Sequence, residues 1–246
     1  MKAQAATLLL FALYANTTQA QFYSDMSIGV NAGAYIYQGD LTPQQLGSFK
    51  TTSFGLGIAI KKPINYFLSA RLNMAFTKLK GDESKYNSPD WRQLRNFSFT
   101  APVKEFTALL QWNVLGRNYD ERGFMPYVFG GAGISFVKIK PDYSRMDASL
   151  FGEGSDVAYG LAQDIAHGTP PRTLTVPIGI GVEKYLSDRF SLSLETGYRF
   201  VFTDYLDGFS QAANPNKKDH YHSTSIGIIY KFGKKDKGIG CPVVKY

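Results

Sequence analysis

The chain carries three histidines, His167, His220 and His222. The last two stand at i and i+2 beside Asp219, a spacing that supplies half of a metal site. No third strong ligand follows in the sequence, so neither a metal nor any other cofactor is expected. Ser210, with His220, His222, Asp204 and Asp207 nearby, offers the residue types of a nucleophile, a base and a carboxylate near the rim of a lipid-A-modifying barrel enzyme. A nucleophile needs its base within hydrogen-bond reach, which sequence proximity does not supply. The plainer reading of TDYLDGFS is an outer-loop turn in which Asp204 and Asp207 cap backbone N–H groups and Gly208 takes a positive φ. The Gly-Asp pairs in YQGDL and LKGDES are turn formers as well, without the dense acidic spacing of a calcium loop. Cys241 is the single cysteine, which excludes an intrachain disulfide and leaves an intermolecular bond or a free thiol.

The elements that position these residues are strands. In FSLSLETGYRFVF, residues Phe190, Leu192, Leu194, Thr196, Tyr198, Phe200 and Phe202 alternate with Ser191, Ser193, Glu195, Gly197, Arg199 and Val201. A period of two is a strand with one apolar face. The same pattern predicts eight strands, at 26–38, 51–61, 67–79, 103–114, 127–139, 173–185, 190–203 and 222–232. Each is about as long as a tilted strand that crosses a bilayer. Connections alternate between long (after the first, third, fifth and seventh strands) and short (after the second, fourth and sixth), the asymmetry of a transmembrane barrel. An even strand number puts both termini on the periplasmic side. The 141–172 connection, with Pro170-Pro171 and several glycines, suits either a lid over the mouth or a mobile loop.

The two faces differ in kind. One carries rows such as Phe54, Leu56, Ile58 and Ile60, or Ile226, Ile228, Tyr230 and Phe232, without a charge. The other is rich in Gly and Ser with a few charges, whereas a watered sheet face is studded with Lys, Glu and Thr. That composition predicts an all-β fold: an eight-stranded antiparallel outer-membrane β-barrel with a filled lumen. Eight strands leave an interior just wide enough for side chains. Arg71, Arg199, Glu105, Glu183 and Glu195 are expected to meet there as buried ion pairs, because isolated charges would be too costly.

The ends set the compartment. MKAQAATLLLFALYANTTQA reads as a cleaved signal peptide over residues 1–20, too short to span a bilayer as a helix. Residues 21–233 then form the barrel, and 234–246 a basic periplasmic tail. The mean hydropathy of −0.19 fits alternating faces that average out. A formal charge of +7 arises in good part from GKKDKGIGCPVVKY, and no nucleic-acid motif accompanies it. The terminal strand ends on Phe232, both a girdle position and the aromatic end that barrel-assembly machinery reads. Location in the bacterial outer membrane, in contact with its lipids, is expected.

Taken in order, GVNAGAYIYQGDLTP, LSARLNMAFTKLKGDE, RNFSFTAPVKEF, MPYVFGGAGISF and VPIGIGVEKYLSDRFSLSLETGYRFVFTDYLDGFS resemble the PorG-like outer-membrane barrels of Bacteroidetes, which are linked to the type IX secretion system. GYRFVFTDYLD and RNFSF are the most specific pieces. Two features depart from the family pattern: Gly208 stands where a second acid is common, and residues 141–172 run differently. The resemblance implies a non-catalytic barrel that fixes a periplasmic lipoprotein ring to the outer membrane. Lys234, Lys235, Lys237 and Cys241 would then contact the partner, with Cys241 available for a disulfide to the ring lipoprotein. A lipid-A-modifying enzyme and a small-solute channel are the alternative functions.

Overall fold

The computed structural model describes residues 25–120, 122–215 and 218–232. Its long strands are β1 (Ser27–Gln38), β2 (Ser53–Pro63), β3 (Leu68–Asp82), β4 (Ser98–Asn113), β5 (Phe124–Val137), β7 (Arg172–Tyr185), β8 (Phe190–Val201) and β9 (His220–Lys231). A three-residue strand, β6 (Lys140–Asp142), lies between β5 and β7. The long strands pair antiparallel in the order β3-β2-β1-β9-β8-β7-β5-β4, and β3 also pairs with β4. The sheet therefore closes on itself and leaves no free edge. This is an eight-stranded antiparallel barrel of the outer-membrane type. The proposed signal peptide lies outside the described residues.

Alternation fixes which side faces out. Phe54 is 67 % exposed, Leu72 62 % and Ile228 53 %, while their neighbours Ser53, Arg71 and Ser225 are buried. The apolar rows clothe the outside, and the small and charged positions fill the inside. Glycine serves this interior by letting backbones and side chains come close. A Cβ on Gly133 would lie 2.0 Å from the Phe106 carbonyl oxygen, and one on Gly181 2.4 Å from the Tyr127 ring.

The longest pair departs from the expected boundaries. β3 and β4 stay in register as far as Asp82↔Ser98, beyond the expected ends at 79 and 103. The extension holds because β6 adds a third strand, Thr100 lying opposite both Lys80 and Lys140. Its residues, Lys80-Gly81-Asp82, look like a turn in sequence and are paired strand in the fold.

The long connections carry the helices: α1 (Trp91–Arg95), α2 (Ala148–Phe151) and α3 (Asp156–His167). Of the two readings left open for 141–172, the fold contains a structured excursion. The Ser155 hydroxyl accepts the Ala158 N–H to start α3, and Gly168 at φ 70° ends it. The main apolar core also sits at this end. Tyr37, Leu41, Leu79, Phe97, Phe99, Leu161, Leu206, Phe209 and Tyr221 pack together there, Phe97 stacked on Phe209 at 4.4 Å. Among the described residues no helix is long and apolar enough to cross a membrane.

Candidate functional site

The interior contains three ion pairs. Lys61 on β2 reaches Glu183 on β7 at 2.7 Å, and the Gln111 amide donates to the same carboxylate at 3.0 Å. Arg71 on β3 pairs with Glu195 on β8, which also accepts the Tyr127 hydroxyl at 3.0 Å. Arg199 on β8 lies 3.4 Å from Glu105 on β4, whose closer partner is the Tyr221 hydroxyl at 2.6 Å. Aromatic faces shield the guanidiniums: Arg71 lies over Phe129, and Arg199 over Tyr35 and Tyr221. The five charges named from sequence thus all face inward and pair, except that Glu183 takes its cation from Lys61. Lys61 was not named from sequence, although the alternation after Ile60 turns it inward.

Above this polar layer the four long connections are tied into one cap. The wholly buried Glu83 carboxylate accepts from Arg92 at 2.9 Å, from Arg95 at 2.6 Å and 3.0 Å, and from the Phe97 N–H at 3.1 Å. The same arginines reach outward, Arg92 to the Asp40 carbonyl and Arg95 to the Ala212 carbonyl. Asp164 on α3 accepts the N–H groups of Ser210, Gln211 and Ala212 at 2.9–3.1 Å. One carboxylate therefore pins the third long connection to the fourth. No sequence signal marks these bonds, because the partners lie 46–117 residues apart or in aperiodic loops.

The turn residues meet in a buried acid pair. Asp207 accepts the Phe209 N–H at 2.8 Å, and Gly208 takes φ 88°. The Tyr37 hydroxyl lies 2.6 Å from both Asp207 and Asp219. A phenol has one proton, so one of the two carboxyls supplies a second. Burial, with the mutual repulsion of the acids, pushes Asp207 and Asp219 well above the usual carboxylate range. Asp204 is raised too, mainly by burial.

The residues that would do chemistry are not assembled. The Ser210 hydroxyl accepts from the Gln211 amide at 3.4 Å and bonds no histidine among the described residues. His220 lies edge-on to Tyr198 and Phe200, and its Nδ1 accepts the Val201 N–H. His222 bonds the Leu46 carbonyl at 2.8 Å, and His167 stacks on Tyr205 at 4.1 Å. No group of three metal-ligating side chains comes together among the described residues. Cys241, Lys234, Lys235 and Lys237 lie outside the described residues.

A closed barrel with an apolar exterior, a paired interior and a knitted cap defines the class as an outer-membrane-type β-barrel. Over residues 3–239 the chain matches the model of a family described as a domain of unknown function, DUF6089, and it belongs to that family. No curated protein matches it in sequence. Among solved structures it is similar to the Neisserial surface protein A, at 15% identity and TM-score 0.45, over 84% of this chain and 97% of that one. OprG from Pseudomonas aeruginosa is 13% identical with TM-score 0.47, over 86% and 98%. The outer membrane enzyme PagL is 11% identical with TM-score 0.40, over 85% and 99%.

Proposed function

We propose that the chain is a non-catalytic, integral outer-membrane barrel that anchors a periplasmic lipoprotein ring of the type IX secretion machinery. The observation that carries the anchoring role is a filled interior beneath an apolar exterior. The cavity bounded by Lys61, Arg71, Gln111, Tyr127, Glu183 and Glu195 holds about 30 Å³. That is room for about two waters. The aromatic cap covers the other end. In this reading the useful surfaces are outside the barrel. The secretion role rests on the resemblance carried by GYRFVFTDYLD and RNFSF.

Both described ends of the chain lie with the short turns, since Ser27 pairs with Lys61 and Lys231. In this reading that end is periplasmic, and residues 233–246 leave it toward the partner. Lys234, Lys235 and Lys237 contact the partner, and Cys241 can link to a lipoprotein cysteine. Deleting the gene is expected to trap exported cargo in the periplasm while lipid A stays unchanged. Normal secretion in the deletion strain refutes the role, and altered lipid A restores the enzyme alternative. A non-reducing gel with the same single band for wild type and Cys241→Ser refutes the covalent link.

A further inference from the structure

At the long-connection end, the cations on the outer wall are concentrated on one side. Lys104 on β4 is opposite Phe76 on one flank and Phe136 on the other, and Phe136 is opposite Arg172 on β7. In the next row Pro102 separates Lys78 from Lys138, whose N–H bonds the Pro102 carbonyl. One row further, Thr100 separates Lys80 from Lys140. The six cations alternate with inward residues such as Val103, Val137, Leu79 and Thr173, so all project from the wall. None bonds an acid among the described residues. The nearest acids, Asp82 and Asp142, stand one row beyond, and Asp82 already takes Arg145 at 3.2 Å.

The height follows from the strand. From Leu68 to Lys78 are ten residue steps, which at ~3.3 Å each and a tilt of ~40° rise about 25 Å. That is the height of an apolar band, so the cations begin where the hydrocarbon ends. The wall beneath them is Met74, Phe106, Ile134 and Leu174, which are opposite one another in register. Around the rest of the barrel the same border carries Phe54, Tyr198, Phe200 and His222, and the next cations there, Lys50 and Lys218, stand beyond the ends of β2 and β9. A generic solvated rim would spread its charge around the circumference. Here it gathers on the β3-β4-β5-β7 half and interleaves with Phe76, Pro102 and Phe136, which suits a ligand with an anionic head and apolar chains.

We propose that this face binds the phosphate groups of a phosphorylated outer-leaflet glycolipid, whose acyl chains lie along the apolar wall below. The inference rests on the membrane reading of the belt and not on the secretion role. Each cation near an anionic lipid surface contributes modestly, and several act together. The lysines act as point charges, whereas Arg172 can fork onto two phosphate oxygens.

The test uses the full mature chain in phosphatidylcholine nanodiscs doped with bisphosphorylated lipid A or with its dephosphorylated form. Retained lipid is counted by native mass spectrometry. Wild type is expected to prefer the phosphorylated lipid at least about tenfold, and K78Q/K104Q/K138Q/R172Q to lose that preference. Removing equal charge at the short-turn end, with R117Q/R122Q/K184Q/R189Q, is expected to keep it, as is K78R/K104R/K138R.

Absence of preference in wild type, or equal loss in the short-turn control, overturns the proposal. So does retention that millimolar inorganic phosphate abolishes, or a heparin fragment that binds as tightly without lipid, which would mark a soluble-polyanion site. If the quadruple variant fails to fold on a heat-modifiability gel, the wild-type comparison at low and high salt decides. Failure of the chain to enter nanodiscs at all refutes the membrane reading instead.

Discussion

Removing Arg71 isolates a buried carboxylate and should be among the costliest changes the barrel tolerates. The guanidinium donates to Glu195 and, through Nε, to Asn73 at 2.7 Å, and it covers the Phe129 ring. In Arg71→Met the apolar stem is kept, but Glu195 retains only the Tyr127 hydroxyl as a donor among the described residues. Breaking a buried pair on one side costs about 3–5 kcal/mol. With a urea slope of about 2–3 kcal/mol per molar, the midpoint should fall by roughly 1–2 M. Arg71→Met/Glu195→Leu removes both charges, and its midpoint should return to within about 1 kcal/mol of wild type. The assay is urea unfolding of the detergent-refolded barrel, followed by tryptophan fluorescence and by heat-modifiable migration. A single variant within about 0.5 kcal/mol of wild type, or a double variant no better than the single, refutes the view that lumen charges exist as mutually dependent pairs.

Asp164→Ala removes three charge-assisted bonds to the 210–212 backbone, and should cost about 1.5–3 kcal/mol of cap stability while leaving the barrel folded. Limited proteolysis should then cut within 204–219 at least about tenfold faster, with the heat-modifiable band unchanged. Asp207 and Asp219 have folded values raised above their unfolded ones, so the folded cap binds more protons and loses stability as pH rises above the ordinary carboxylate range. Hydrogen exchange of the Leu206–Phe209 amides, corrected for intrinsic rates, should show protection falling from pH 5 to 8 in wild type and a weaker fall in Asp219→Asn. In planar bilayers the wild-type barrel should show no steady conductance, and ohmic openings would return the solute-channel alternative.

The barrel is legible in sequence because its signal is local: a period of two needs only neighbours, and each strand reports its own faces. Phe54, Leu72 and Ile228 could be assigned outward from a few residues on either side. The interior charges were legible as inward positions for the same reason. Their pairing was legible only in part, since which glutamate meets which cation depends on register across the lumen. Lys61 shows the limit, for the alternation after Ile60 turns it inward, but its pairing with Glu183 depends on register across the lumen. Of the cap, only the TDYLDGFS turn was legible, in which Asp207 caps the Phe209 N–H and Gly208 takes φ 88°, and the bonds between loops were not. Glu83 with Arg92 and Arg95, Asp164 with the 210–212 backbone, and Tyr37 with Asp207 and Asp219 join segments that share no periodicity.

Where the barrel keeps its unspent chemistry follows from what it has already used. Among the described residues, three cations meet three carboxylates in the lumen, so these charges are already paired with one another. The cap consumes Glu83, Arg92, Arg95 and Asp164 in holding its own loops together. The Ser210 hydroxyl accepts from the Gln211 amide, and the histidines are bound to backbone or stacked on rings. Two surfaces remain outside this internal accounting: the basic half of the wall above Phe76 and Phe106, and the short-turn end, where Ser27 pairs with Lys61 and Lys231. In the proposed reading, a plugged cylinder with one face for lipid and one end for a partner would hold that partner at a fixed depth and orientation, because neither attachment requires the barrel to open. The two attachments are also separable: charge removal on β3, β4, β5 and β7 should leave partner capture intact, and truncation after Phe232 should leave lipid selection intact.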